Sequence, residues 1–284
     1  MAHHTLPPEL TDQVISFIGE DKKTQASCSL VCRAWLPRSR SYLFRTIELP
    51  NFSVSKFLDF ILACKSKGDT SLISPARHVR SLCFTGQPPG TSLNVEILPR
   101  ILHLLPRIDR ISITKSSLIG CHEKLDAAGI RLKELTITET SVASGTPQAF
   151  LQLLSILTQV DILSISSLAW DIIPADLVDA SHPDFPSHLE VSCLTLINYG
   201  LYLFFPGITT LMQRIRSIHT LSDVRLQCNN ARDVAAVGAF LSHPDIVVQA
   251  LSVDLAFGTR SIFSKLLATT YCALQLTPNV RWEL

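Results

Sequence analysis

The chain has 284 residues, enough for one large domain or two small ones, and 46% of them are hydrophobic while only 17% are charged. This balance excludes disordered and charge-run proteins. The 25 basic and 24 acidic side chains leave a net charge of +1, so no excess of positive charge is available to neutralise nucleic-acid phosphates or anionic lipid. We therefore expect neither a nucleic-acid nor a membrane partner.

The termini and the cysteines indicate where the protein acts. Residues 1–10 lack the apolar run of a secretory signal, and no apolar stretch is long enough to span a bilayer. The eight cysteines show neither C-x-x-C spacing nor paired histidines at zinc spacing. We expect an intracellular protein, cytoplasmic or nuclear, whose cysteines are free thiols rather than disulfides or metal ligands.

The first fifty residues predict three short helices. Pro7 stands at the start of the first helix, where its missing N–H is harmless, and Gly19 ends that helix. Its predicted apolar stripe is Leu10, Val14, Ile15 and Ile18. A second helix is predicted over 24–31 and a third over about 32–44. Three short helices bury little surface alone, so this unit needs a partner or a neighbouring domain.

The same residues carry a family resemblance. The segments L-P-x-E-L at 6–10 and L-V-C-R-x-W at 30–35, with the Leu-Phe pair at 43–44, resemble an F-box. The resemblance implies that residues 1–49 form a module that binds the Skp adaptor of an SCF-type cullin-RING ubiquitin ligase. By position, the adaptor contacts would be Leu6, Pro7, Leu10, Val31, Cys32 and Trp35. The alternative is that these helices only cap the domain that follows.

From residue 50 onward one motif recurs: apolar, two residues, apolar, one residue, apolar. It occurs seven times, with first members 24 to 31 positions apart. The copies are Val79/Leu82/Phe84, Ile108/Ile111/Ile113, Leu132/Leu135/Ile137, Val160/Leu163/Ile165, Val191/Leu194/Leu196, Leu221/Val224/Leu226 and Val248/Leu251/Val253. Phe44/Ile47/Leu49 resembles an initial copy, and Val280 and Trp282 a truncated last one. We interpret each copy as a strand.

Helical spacing of apolar residues separates these strands. The predicted helices span 57–64, 95–105, 148–157, 208–215, 231–241 and 260–268. One strand and one helix per unit is typical of a leucine-rich repeat, whose apolar face is buried only by stacking. We therefore predict an α/β fold, in which residues 50–284 form a repeat solenoid with a parallel sheet on its concave face. The connections 114–130 and 167–187 are expected to be irregular.

Strand residues that alternate with the buried ones would line that concave face, and it would be rich in small side chains with hydroxyl groups. Such a face suits a protein surface or a short peptide better than phosphate. Representative substrate-contact candidates are Arg110, Thr136, Ser164, Thr195, Arg225 and Asp254. Residues 1–49 carry 6 basic and 5 acidic groups, and the remainder 19 of each, so we expect neither part to steer a partner by charge.

Catalytic chemistry finds no support in the sequence. Nucleotide-binding, serine-hydrolase and metalloprotease motifs do not occur. Cys121 and His122 are the only adjacent thiol and imidazole, and neighbouring residues face each other poorly for activation of a nucleophile. We expect no enzyme activity, no metal and no cofactor.

Taken together, the two parts resemble F-box proteins with leucine-rich repeats, of the type abundant in mushroom-forming fungi. That resemblance implies a non-catalytic substrate receptor of an SCF-type ligase, with the Skp adaptor at one end and an unknown protein substrate on the repeats. Two alternatives are a ligase-independent interaction scaffold and an enzyme on a Rossmann-like sheet, which also alternates strands and helices.

Overall fold

The computed structural model describes residues 7–19, 21–66, 75–87, 91–121, 125, 129–142, 148–169, 184–197, 204–215, 221–243, 246 and 248–255. Its helices are α1 (Pro8–Phe17), α2 (Lys22–Val31), α3 (Leu36–Leu43), α4 (Val54–Ser66), α5 (Ile97–Leu104), α6 (Gln148–Ser155), α7 (Phe204–Arg214) and α8 (Ala231–Leu241). Leu6, the predicted helix 260–268 and the residues Val280 and Trp282 lie outside the described part.

Local features of the sequence set the end of α1 and the start of α2. Gly19 adopts a φ of +61° after α1, in the left-handed region that favours glycine. The Asp21 side chain caps α2 by accepting the backbone N–H groups of Lys23 and Thr24. The buried amide of Gln25 donates to the Ile15 carbonyl at 2.9 Å and so joins α2 to α1.

The third helix is shorter than the 32–44 that its apolar spacing predicts. Cys32 is extended, residues 33–35 form a turn, and α3 begins only at Leu36. Pro37 explains the difference, because it has no N–H to donate to a carbonyl four residues earlier and therefore stands in the first turn of the helix.

Eleven strands are described, and all pair in parallel. They are β1 (Thr46–Pro50), β2 (Ser81–Thr85), β3 (Ser92–Asn94), β4 (Arg110–Thr114), β5 (Ser117–Ile119), β6 (Ile130–Thr138), β7 (Ser141–Val142), β8 (Leu157–Ser166), β9 (Glu190–Ile197), β10 (Asp223–Cys228) and β11 (Ala250–Leu255). Eight form one sheet in the order β1-β2-β4-β6-β8-β9-β10-β11, and β3, β5 and β7 form a second, small sheet. The predicted mixed α/β structure with a parallel sheet is confirmed.

The strand register aligns the repeated motif across the large sheet. The second members of the copies pair in one continuous row: Ile47, Leu82, Ile111, Leu135, Leu163, Leu194, Val224 and Leu251. The third members form a parallel row from Leu49 to Val253. Every member of the seven predicted copies except the partly buried Ile108 is at most 7% exposed. The motif therefore builds the core, as predicted.

No helix or strand among the described residues covers the opposite face of the large sheet. Along β2, β4 and β10 buried residues alternate with half-buried or exposed ones, which is the pattern of a sheet that packs on one side. A doubly wound sheet buries both faces and reverses its strand order at a switch point. Here the order follows the sequence from β1 to β11, so the Rossmann-like alternative is wrong.

The small sheet joins three short strands, of which only β5 lies in a connection that the sequence predicted to be irregular, 114–130. After β4, β6 and β8 the chain turns at Lys115, Glu139 and Ser167, each with φ near +50°. Each of these residues donates its N–H to the carbonyl of the last residue in the next large-sheet strand. The turns lead into short strands such as β5, which at three residues is too brief to show a period in the sequence.

Most of the predicted helices between the strands are present with small shifts. Helix α8 has the predicted bounds, whereas α4 begins earlier than predicted and α6 ends earlier because Leu157 opens β8. In the second connection predicted to be irregular, residues 170–183 lie outside the described part, while Phe185 and Leu189 just beyond them are buried. None of the described helices is long and apolar enough to cross a bilayer.

Candidate protein-interaction surfaces

The first candidate surface lies on α1 and α2. Five large apolar side chains are exposed there, and we call them the helix face: Leu10, Val14, Phe17, Leu30 and Val31. Phe17 is 90% and Leu30 85% exposed. The members on α1 are spaced by four and three positions and therefore share one stripe, while Thr11 and Ile15 of the same helix point inward.

The helix face overlaps the residues to which the F-box resemblance assigns adaptor contact. Pro7, Leu10, Val31 and Cys32 are exposed, and Trp35 is half-buried. Leu6 lies outside the described residues. The sequence pattern placed Val14 and Leu30 on apolar stripes without separating an inner from an outer face, and it did not single out Phe17.

The helices and the sheet meet at the start of β2. The Arg45 carbonyl, between α3 and β1, accepts the backbone N–H groups of Arg80 and Ser81 at 2.9 and 3.0 Å. Lys22 on α2 forms an ion pair with Glu48 on β1 at 3.5 Å. These contacts join the two parts of the chain and leave the helix face exposed. Helices that served only as a cap would bury Pro7 and Trp35, whereas Pro7 is exposed and Trp35 is half-buried.

The second candidate surface is the open face of the large sheet. Strand pairing brings four of the six predicted substrate contacts into one row, in the order Thr136, Ser164, Thr195 and Arg225. Arg110 belongs to the row on one side and Asp254 to the row on the other. Arg225 pairs with Asp223 at 3.3 Å and Arg110 with Glu134 at 3.8 Å. The face thus combines hydroxyl groups with charges that are locally balanced.

The cysteines that the structure describes form no disulfide, and the environment of three of them raises the pKa of the thiol. Burial raises the pKa of the Cys83 and Cys193 thiols on the open face. Burial, followed by the charges of Asp233 and Asp254, raises the pKa of Cys228 to about 12. A thiol must ionise to attack a substrate, so burial disfavours the reactive form of these three cysteines. Within the described ranges, no three His, Cys, Asp or Glu side chains are grouped as metal ligands.

The third candidate surface carries many positive charges, although the net charge of the whole chain is only +1. A cleft of about 420 Å³ lies between α3 and the edge at which β1, β2 and β4 begin. We call it the basic cleft, and its cationic side chains are Arg38, Arg45, Arg77, Arg80, Arg107, Arg110 and Lys133. Asp109 is the only carboxylate among the described residues that line it. The balanced net charge of each part therefore does not mean that the charges are evenly distributed over its surface.

Comparisons with known proteins identify no family. No family model matches the sequence, and no curated protein matches it. Among solved structures, a protein from Bacteroides fragilis is 10% identical with a TM-score of 0.42, over 98% of this chain and 74% of that one. The Rad7–Elc1 complex of yeast includes a chain that is 15% identical with a TM-score of 0.37, over 97% of this chain and 67% of that one. Both TM-scores are below 0.5, so neither similarity assigns a function to this chain.

Proposed function

We propose that this chain is the non-catalytic substrate receptor of an SCF-type cullin-RING ubiquitin ligase. Residues 1–49 act as an F-box and bind the Skp adaptor, and residues 50–284 form a leucine-rich-repeat solenoid that holds a target protein. The observation that carries the proposal is the exposed helix face, because it overlaps the positions that the F-box resemblance marks.

The energetics of the helix face favour a protein partner. Burial of a large apolar side chain contributes about 1.5–3 kcal/mol, and apolar anchors near the centre of an interface carry most of the binding energy. Five such side chains lie on two adjacent helices. Their burial would contribute on the order of 10 kcal/mol, comparable with the roughly 4–15 kcal/mol that association costs.

The remainder of the chain fits the role of target recognition. The strand motif repeats with one register across eight strands. On the open face, every second residue of each strand therefore lines up with its counterparts on the neighbouring strands to form a row. Stacked strand-helix units provide such extended binding surfaces in repeat proteins. In this role the chain contributes proximity, because it holds the target beside a ubiquitin-conjugating enzyme.

The decisive experiment measures adaptor binding by the full chain. Co-expression with a Skp adaptor should give a stable complex, and Leu10→Ala with Val31→Ala should weaken its binding by tenfold or more in calorimetry. The matched control is Phe60→Ala with Leu62→Ala, since both residues are exposed apolar side chains on α4 outside the helix face. Absence of binding by the wild-type chain, or equal losses in both double variants, would overturn the proposal.

The second candidate is a ligase-independent interaction scaffold. The half-buried state of Trp35 favours it, because a tryptophan that packs within the chain contributes less to an adaptor interface. Under this function Trp35→Ala lowers the free energy of unfolding, and the wild-type chain binds no Skp adaptor. The adaptor titration therefore separates the two candidates.

A further inference from the structure

The helix face is a large apolar surface on the part of the chain that the structure describes. Phe17 and Leu30 are almost fully exposed, and the other three members are about half exposed. Scaled by these exposures, the five side chains present roughly 500 Å² of apolar surface. A contiguous apolar patch of this size on a single chain marks a surface that another molecule covers.

Two copies of the chain that join through this face would bury about the area that a specific dimer needs. An interface between two identical faces counts the patch twice, so roughly 500 Å² per copy becomes roughly 1,000 Å² in total. The polar atoms around the patch add to this area. Specific interfaces begin at about 1,000–1,200 Å² of buried surface, so the helix face alone suffices for a dimer of moderate affinity.

Opposite charges flank the apolar side chains of the two helices. Glu9 precedes Leu10 in the first turn of α1, and Arg33 comes two residues after Val31, just past the end of α2. Both charged side chains are exposed. The face is complementary to itself when a two-fold axis places α1 of one copy on α2 of the other, because each acidic end then meets a basic end.

Other charges on these helices already have partners within the chain. Asp12 pairs with Arg38 at 3.7 Å, and Lys22 pairs with Glu48 at 3.5 Å. Glu9 forms no ion pair with any residue that the structure describes, and neither does Arg33. A second copy supplies the missing partner for each of them, together with an apolar surface of equal size.

We propose that, without its adaptor, the chain forms a two-fold dimer through the helix face, with Glu9 of each copy beside Arg33 of the other. The dimer is independent of the proposed function, but its consequence rests on that function. Leu10 and Val31 can contact either a second copy or the adaptor, and not both at once. Assembly of the ligase therefore requires the dimer to dissociate, and the adaptor concentration sets the fraction of the receptor that remains dimeric.

Sedimentation velocity of the full chain without adaptor measures the dimer. We expect a dissociation constant of about 1–10 μM, and Leu10→Ala with Val31→Ala should raise it tenfold or more. The matched control, Phe60→Ala with Leu62→Ala, removes exposed apolar side chains of α4 and should leave it unchanged. A wild-type chain that stays monomeric at about 100 μM, or equal losses in both double variants, would refute the dimer.

Charge reversal tests the two-fold arrangement. Glu9→Lys alone creates two contacts between like charges, and Arg33→Glu alone does the same, so each should raise the dissociation constant about tenfold. An equimolar mixture of the two variants should dimerise like the wild-type chain, because both contacts of the mixed dimer again join opposite charges. The controls, Glu96→Lys and Arg100→Glu, reverse exposed charges outside the helix face and should each dimerise normally.

Two results would contradict the two-fold contact: single variants that dimerise as well as the wild-type chain, or a mixture that does not recover. If Leu10→Ala with Val31→Ala loses helix content by circular dichroism, the charge-reversal mixture decides, since it changes only exposed side chains.

Addition of a Skp adaptor separates this inference from the proposed function. We expect the adaptor to convert the dimer into a complex of one chain with one adaptor. A dimer that does not bind the adaptor would leave the inference intact and overturn the proposed function. A monomer that binds the adaptor would do the opposite. A complex of two chains with two adaptors would show that the dimer does not use the helix face.

Discussion

The sheet buries its apolar side chains, whereas the N-terminal helices leave several of theirs exposed. Between Val79 and Val253 the strand motif places its leucines, isoleucines and valines in continuous buried rows, whereas α1 and α2 leave Phe17 and Leu30 almost fully exposed. A stacked unit always has a neighbour that covers its apolar face, but three short helices enclose too little interior. The same residue types thus form the core in one part of the chain and remain exposed in the other.

The largest expected effect comes from breaking a buried row. Leu163→Ala removes a fully buried side chain at the centre of the sheet and should lower the free energy of unfolding by about 3 kcal/mol. The adjacent Ile162 is 42% exposed on the open face, so Ile162→Ala should cost under about 1 kcal/mol. Guanidinium denaturation of both variants measures the difference. Similar losses would contradict the one-sided packing of the sheet.

A substitution in the turn that follows β2 is expected to cause a smaller loss of stability. A Cβ atom on Gly86 would lie 1.8 Å from the Lys115 carbonyl oxygen, so Gly86→Ala must displace backbone of the neighbouring unit. We expect a loss of about 2 kcal/mol in the free energy of unfolding. Gln87→Ala, an exposed neighbour, is the control. Unchanged thermal unfolding of Gly86→Ala would show that the turns do not pack as described.

The cap of α2 predicts a pH dependence confined to the helices. The hydrogen bond from the Thr24 hydroxyl, followed by that from the Thr24 backbone, lowers the pKa of Asp21 below its usual value of 3.8. Because the folded pKa is the lower one, the contribution of Asp21 to stability is complete above that usual pKa and is lost as pH falls through the lowered value. Asp21→Asn keeps a capping oxygen and should remove this pH dependence. Helix content of residues 8–31, followed by NMR shifts as the pH is lowered from 7 to about 2 in the wild-type chain and in Asp21→Asn, measures it.

The smallest effect should follow a change in the helix face. Phe17→Ser removes a side chain that is 90% exposed and should change the free energy of unfolding by less than about 0.5 kcal/mol, while it reduces self-association of the isolated chain. Chemical denaturation measures the change in the free energy of unfolding, and light scattering measures the change in self-association. A loss as large as that of Leu163→Ala would mean that Phe17 belongs to the core.

Most strands of the large sheet could be predicted because the same strand motif recurs along the sequence. Seven motif copies with similar spacing identified the strands and their buried positions, and the helical spacing of Ala231–Leu241 was enough to bound α8. The start of α3 was missed because the apolar pattern outweighed Pro37. Strands such as Ser117–Ile119 were missed because three residues carry no measurable period.

By itself, the sequence determined which residues form the buried rows, since a local period dictates which side chains share a face. It also supplied the F-box resemblance, which rests on residues close together in the chain. Only the tertiary structure decided which apolar residues of α1 and α2 remain exposed, and that Arg45, Arg77 and Arg107 surround one cleft. Those properties depend on how separate elements meet, and parallel pairing brings together groups that about thirty intervening residues keep apart in the sequence.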